Sequence, residues 1–291
     1  TAQRAWIIDL NRHAGLSAKT SLREQLHDGM GIQLMPGSSI KGAVRTALFA
    51  QFISKNDNLV KRSENLKNRR GYYGDQQLIK KCFGDDPNHD ILRLLQIGDA
   101  NFERTEVFSS DIVNLFHDGW GKGSSSRDKD ALQFIEAIPA GLECNTPVSF
   151  HLDEQLFKIA SDRRYFLSDI SQLQLHRLIP MLNEHTKGLV KKEIAYWQEE
   201  GNPPVLENYL EELDKLLNLM EACSENECVI RLGWGTGFRN MTGAWHSALT
   251  DEDYYSLVKS MRKRHPEDMV FPKSTRLLRG GVPLGFVKLT V

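Results

Sequence analysis

Two stretches carry residue types and spacings suited to binding an anion. The first is Met35-Pro36-Gly37-Ser38-Ser39-Ile40-Lys41-Gly42-Ala43-Val44-Arg45-Thr46-Ala47-Leu48, a tight loop running into a helix. Pro36 and Gly37 are turn residues, and Ser38 or Ser39 can cap free N–H groups of the first turn. Ile40, Val44, Ala47 and Leu48 repeat at i, i+4, i+7 and i+8, so they define one apolar face. Lys41 and Arg45, four apart, share another face. A lysine in a first turn opposes the helix dipole, which costs about 0.3–1 kcal/mol unless an anion lies nearby. A phosphate would satisfy N–H groups, hydroxyls and cations together. The other open reading is a surface helix with two solvated cations.

The second stretch is Gly233-Trp234-Gly235-Thr236-Gly237-Phe238-Arg239, after the strand-like Cys228–Leu232. Its aromatics can stack on bases and Arg239 can reach a phosphate, as on a single-strand RNA surface. A glycine-rich hairpin with core aromatics is the alternative. Nucleotide folds fit neither stretch. Gly37 to Gly42 has the first half of a Walker loop, but Ala43 and Val44 stand where Lys and Ser or Thr are required. The third glycine of the second run comes one residue early for a dinucleotide fingerprint, and turn residues follow it.

Catalytic signals are weak by comparison. No Ser-His-Asp or Cys-His set stands out, and none of the nine histidines forms an H-x-x-x-H pair. His151 reads as the polar side of a half-buried strand. Asp85, Asp86 and Asp99 raise a metal question, but their spacing matches no metal loop and an Asx turn before Pro87 explains the first two. Cys223 and Cys228 lack the neighbouring ligands of a zinc site. No metal and no cofactor is expected.

The elements that position these stretches follow from pattern. With 291 residues the chain is long enough for about two domains. Four irregularly spaced cysteines form no disulfide framework, which together with the absence of a signal-peptide pattern or membrane-length apolar run suits a cytoplasmic protein. The net charge of −1 provides no global positive field, so a nucleic-acid binder needs local basic patches. Trp6–Leu10 reads as a strand, and native residues are expected before Thr1. Leu16, Leu22 and Leu26 suggest a short helix, and Asp28-Gly29 a turn. A basic segment over 54–74, ending in Tyr72 and Tyr73, reads as a solvated loop. Gln76–Phe83 suggests a helix, Leu92–Phe102 a strand with a turn, and Gly119–Arg127 a linker. Phe134–Ala140 and Thr146–Leu152 read as a hairpin around Gly141. Residues 162–223 turn helical and break at Gly201-Asn202-Pro203-Pro204, as an antiparallel pair of helices. A polar helix over 251–264 precedes the Phe271–Leu278 stretch and Gly280-Gly281, and Leu284–Val291 reads as a closing strand.

Three segments together resemble the RAMP superfamily of CRISPR effector proteins. Met35–Leu48 is similar to the family's P-G-S-S-[IL]-K-G-x-[IVL]-R segment, and Leu232–Phe238 to its glycine-rich loop. Phe271-Pro-Lys-Ser-Thr-Arg-Leu277 with Pro283-Leu-Gly-Phe-Val-Lys-Leu289 looks most like the ending of the subunit at the crRNA 3′ end of type III-A (Csm) complexes. The resemblance implies an α+β fold of ferredoxin-like (RRM-like) domains with a helical insertion: 1–160, an insertion at 161–223, and 224–291. It implies a non-catalytic subunit that caps the crRNA 3′ end, with crRNA and a neighbouring RAMP backbone subunit as partners and a share in crRNA maturation. The RNA contacts it implies are Gly37, Ser38, Ser39, Lys41 and Arg45, with Gly233, Gly235 and Gly237 in the loop beside them; Trp234, Arg239, Lys273 and Arg276 are the further candidate RNA contacts. The rival is a metal-dependent ribonuclease, because target-cutting family members use an acid in a loop ahead of the first motif. Asp28 is the nearest acid here.

Overall fold

A computed structural model describes residues 22–56, 74–116, 118–123, 133–163, 170–237, 240 and 272–291. The expected strand at 6–10, most of the basic segment, residues 124–127 of the linker, Phe238, Arg239 and the helix at 251–264 lie outside the described residues. The described chain begins with β1 (Leu22–Arg23), β2 (Gln33–Met35), α1 (Gly37–Lys55) and α2 (Gly74–Phe83). Next come β3 (Leu95–Ile97), β4 (Ala100–Phe102), β5 (Glu106–Phe116), β6 (Gly119–Lys122), β7 (Gln133–Ala137) and β8 (Phe150–Leu152). Three helices follow: α3 (Glu154–Arg163), α4 (Leu175–Glu199) and α5 (Glu207–Glu221). Then come β9 (Glu227–Arg231), β10 (Ser274–Leu278) and β11 (Phe286–Thr290).

The fold is mixed α+β. Its largest sheet runs β1-β7-β5-β10, with β6 also paired to β5. Only β1 and β7 are parallel within it. Three two-stranded pairs, β9/β11, β2/β4 and β3/β8, complete the described strands. All four apolar residues expected on the inner face of α1 are buried, and Phe49, Phe52 and Ile53 join them. They pack with Leu95, Phe102 and, from α4, Leu178, Ile179 and Leu182. A second core gathers Trp197, Tyr209, Leu213 and Met220 against Val113, Val229 and Leu277. Helix α4 thus contributes its first half to one core and its second half to the other. It is a wall shared by the two cores.

Four local expectations are corrected. The stretch expected as a linker begins with a strand, since Gly119–Lys122 pairs with β5 as β6. Leu22 lies in β1, paired to Phe134, and Leu26 is exposed, so these two described leucines belong to no helix, and Leu16 lies outside the described residues. The i, i+4 leucine spacing was overridden by strand pairing along the edge of β7. The strands flanking Gly141 do not pair with each other: β7 joins β1 and β5, whereas β8 joins β3. Alternation identifies a strand but not its partner. Ser38 and Ser39 do not cap α1. Pro36 takes the cap position with φ −64° and ψ 137°, and the serines lie inside the first turn.

A buried polar network joins the second core. Arg231, at the end of β9, donates from Nη1 to Glu193 Oε2 at 2.8 Å, from Nη2 to the Tyr209 hydroxyl at 3.2 Å and from Nε to Leu284 O at 2.9 Å. Tyr209 donates to Glu193 Oε1 at 2.6 Å. One guanidinium therefore ties β9 to α4, to α5 and to the turn before β11. Burial alone would lower the Arg231 pKa, but Tyr209 and Glu193 outweigh it and hold the value above the ordinary one. Burial, with the Glu193 charge, pushes the Tyr209 phenol up, so it stays a donor. Glu193→Ala strands the buried guanidinium and is expected to cost about 3–5 kcal/mol. Tyr209→Phe keeps the ion pair and is expected to cost about 1–2 kcal/mol. Urea midpoints for the two variants check that order.

Candidate nucleic-acid interface

The first motif turns its chemistry inward. Asp99, in the turn between β3 and β4, accepts the Gly37 N–H through Oδ1 at 2.7 Å. A carboxylate therefore already sits at the helix N-terminus and supplies the acceptor that a serine cap would have given. This approach needs a glycine, because a Cβ at position 37 would stand 2.1 Å from Ile97 O. Lys41 Nζ donates to Leu95 O at 2.8 Å. Its pKa is lowered chiefly by burial and also by Arg45, with Asp90 opposing. Arg45 Nη1 meets Asp90 Oδ2 at 2.6 Å, and its guanidinium carbon lies 4.0 Å from the Phe83 ring centroid. Asp90 Oδ1 in turn accepts the Leu92 N–H at 2.9 Å. Lys41 and Arg45, two of the expected RNA-binding cations, therefore hold the 90–99 segment against α1.

The same helix opens one side of a cleft. Ser39, Gly42 and Thr46 line it from α1, His185 and Thr186 from α4, and Gly233 and Thr236 from the glycine-rich loop. Its volume is about 390 Å³. Two motifs far apart in sequence share its wall, and no Asp or Glu is among its described lining residues. Arg231 reaches it but is committed to the buried network. His185 is a residue that sequence reasoning missed. A lone histidine on an apolar helix carries no spacing signal, and only α1 and the loop make its position a cleft. Burial, helped by Lys192, pushes its imidazole down to about 4.

The glycine-rich loop depends on left-handed backbone. Gly233, Gly235 and Gly237 have φ of +90°, +82° and +80°, a region costly for other residues. Gly285 in the third motif allows a second close approach, since a Cβ there would meet Leu232 O at 2.1 Å. Its own carbonyl accepts the Leu232 N–H at 2.9 Å. Trp234 at the loop's tip is half-buried. Guanidinium carbons of Arg23 and Arg276 lie 4.5 and 4.4 Å from its ring centroid. Lys273 stands just before β10, and its carbonyl accepts the Leu115 N–H at 2.9 Å. Arg239 lies outside the described residues.

The candidate acids are occupied in turns. Asp28 Oδ1 accepts the N–H groups of Met30 and Ile32 at 2.8 and 2.9 Å, closing its own loop. Asp86 accepts from the Asn88 N–H at 2.7 Å and contacts His89 Nδ1 at 2.8 Å. Those contacts, the His89 side chain first, hold its carboxyl below the usual range. Among the described residues no cluster of three or more His, Cys, Asp or Glu side chains could hold a metal. No described helix is long and apolar enough to cross a membrane. Cys82 and Cys228 are buried and in no disulfide, and burial pushes the Cys228 thiol up to about 12.

An α+β frame that brings a glycine-opened helix and a glycine-rich loop to one cleft defines a class of protein rather than a single activity. The family model described as "RAMPs: RAMP superfamily" matches residues 13–240, which include both motifs, and the chain belongs to that superfamily. Its fold is similar to a chain in the cryo-EM structure of a Csm-crRNA-target RNA ternary complex of a type III-A CRISPR-Cas system. That match has a TM-score of 0.67 at 19% identity and covers 94% of this chain and 76% of the other. The crystal structure of T. onnurineus Csm5 matches with a TM-score of 0.59 at 18% identity, covering 92% and 73%. No curated protein matches the chain.

The His185 shift has a signed consequence. The unfolded chain takes up a proton near pH 6.5, whereas the folded chain does so near pH 4. Between those values the unfolded state holds more protons, so stability falls as pH drops. His185→Gln is expected to flatten the fall in melting temperature between pH 6.5 and 4.5, and parallel melts of the two proteins check it.

Proposed function

We propose that this chain is a non-catalytic crRNA-binding subunit of a type III-A effector ribonucleoprotein, placed at the crRNA 3′ end. The observation that carries the reading is the cleft, in which both superfamily motifs meet with no carboxylate among the described lining residues. Likeness in fold to Csm5 and to a chain of a Csm-crRNA complex adds support. In this reading the RNA backbone follows the exposed side of Ser38 and Ser39 and the N–H groups of Gly233, Gly235 and Gly237. Trp234, Arg239, Lys273 and Arg276 supply aromatic and cationic contacts. The hold is sequence-independent, from N–H groups and cations to phosphate. Gly37, Lys41 and Arg45 support the surface by holding the 90–99 segment. A neighbouring RAMP subunit is the protein partner, and the cytoplasm is the compartment.

Assembly tests the reading. Co-expressed with the other type III-A subunits and a CRISPR array, the chain is expected to enter the complex and to leave crRNA with defined 3′ ends. Complexes that assemble without it and carry identical 3′ ends would sink the proposal. Lys41→Ala with Arg45→Ala is expected to lower crRNA retention and melting temperature together, because both side chains brace the same segment. Loss of RNA at unchanged stability would instead place the two cations directly on phosphate.

The ribonuclease alternative rests on Asp28, whose Oδ1 accepts two N–H groups of its own loop. Purified complex is expected to show no Mg²⁺-dependent target cleavage that is lost in Asp28→Ala. Cleavage abolished by that substitution would reverse the assignment.

A further inference from the structure

The Arg23, Trp234 and Arg276 cluster is not explained by packing alone. Sheet register places both arginines on one face of the largest sheet. Arg23 pairs with Ile135, and Ile135 with Phe108. Ile112, four residues on from Phe108, shares its face and pairs with Arg276. The strands carrying the two arginines are three steps apart in the order β1-β7-β5-β10, roughly 14 Å at the usual strand spacing. The indole of Trp234 bridges that gap, with both guanidiniums over its ring. The loop reaches this far because of Gly235. Its φ is +82°, and a Cβ there would lie 3.2 Å from Arg276 Cδ and 3.0 Å from Leu284 Cδ1.

The cluster brings two cations together with no anion. Neither arginine has a carboxylate partner among the described residues. Nη1 of Arg276 is buried and has no hydrogen-bond acceptor. Burial, and then the charge of Arg23, lower the Arg276 pKa. A buried guanidinium donor without an acceptor is costly, and a like charge beside it adds to that cost. Cation–aromatic contact returns only about 0.5–2 kcal/mol of it. Arg45 and Arg231 show how this chain treats arginines that serve packing: each has a carboxylate within 2.8 Å.

We infer that Arg23, Trp234 and Arg276 form a nucleotide subsite that binds one phosphodiester of a single-stranded RNA through the two guanidiniums, with an adjacent base against the cation–aromatic surface. The inference rests on the RNA-binding reading above and adds Arg23 and a defined stoichiometry to it. RNA suits the cluster better than an acidic peptide. A phosphodiester beside a base uses both the cations and the flat aromatic surface, whereas a carboxylate uses only the cations. Arg23 is exposed and Arg276 is half-buried, and their guanidiniums supply the planar, forked geometry that phosphate accepts.

Equilibrium binding of an oligouridylate to the full chain, between about 50 and 200 mM salt, tests the subsite. Arg23→Gln and Arg276→Gln are each expected to weaken binding several-fold, and the double variant to reduce the slope of log K against log salt by about 0.7, the share of one phosphate on a single strand. Arg276→Lys keeps the charge, so it is expected to retain the slope while losing affinity. On the wild-type chain, photo-crosslinking with a 5-iodouridine oligomer is expected to label Trp234, which needs no variant to fold. Wild-type RNA binding with an unchanged slope in the folded double variant would overturn the subsite and leave the broader reading standing. Crosslinks that fall elsewhere and spare Trp234 would do the same. A wild-type chain that binds no RNA would sink both. Displacement of the indole signal by hexaglutamate, but not by oligouridylate, would overturn the inference and assign the cluster to an acidic protein partner.

Discussion

The guanidinium of Arg231, with its side chain 1% exposed, is the point on which three parts of the molecule converge. Its five donors suit this role, because a planar fork can serve a carboxylate, a phenol and a carbonyl at once. Glu193 brings α4, Tyr209 brings α5, and Leu284 O brings the turn before β11. An unpaired charge at this depth would cost several kcal/mol, so the network makes any arrangement that separates these elements unfavourable. Asn183 repeats the pattern one layer away, donating to Met220 O at 2.8 Å and accepting the Val229 N–H at 3.1 Å. The glycine-rich loop starts immediately after Arg231. Its geometry is inherited from that anchor.

The opening motif works by the same economy. Gly37, Lys41 and Arg45 each meet an acceptor from the 90–99 segment: Asp99, Leu95 O and Asp90. Close backbone approach at Gly37 excludes any side chain there, and Gly285 imposes an equivalent restriction at the far end of the chain. Residue types that read as phosphate ligands are therefore also structural clamps. What they leave exposed to the cleft is smaller and less charged: hydroxyls, glycine backbone and a neutral imidazole. Uncompensated positive charge lies instead at Arg23 and Arg276, over the sheet. A surface that holds single-stranded RNA without reading its sequence needs both kinds of contact, N–H groups along the backbone and cations beside aromatics.

Helix α4 shows why the division into domain and insertion is less distinct in space than in the chain. Leu178, Ile179 and Leu182 complete the core under α1, and Tyr196 and Trp197 complete the other. A helix with apolar residues for two cores must lie between them. The sequence shows its amphipathic periodicity plainly, since the expected break at 201–204 separates α4 from α5. The second partner surface is invisible in that pattern, because 3.6-residue periodicity reports which positions are buried and not against what.

Local pattern was enough to determine the inner face of α1, the antiparallel helices, the turns at Asp28 and Asp86, and the two glycine-bearing motifs, whose resemblance to the RAMP superfamily implied the α+β class. Those features depend on neighbours within a few residues, where spacing and residue type are sufficient physics. Tertiary structure alone decided the rest. It placed Leu22 in a strand and sent β7 and β8 to different sheets. It turned Lys41 and Arg45 inward, made His185 part of a cleft, and brought Arg23 to the indole of Trp234 from a position more than two hundred residues away. Each of these outcomes is set by which surfaces meet. A side chain's partner, unlike its periodicity, is fixed by the packing of distant segments and by the cost of leaving a buried charge or donor without a counterpart.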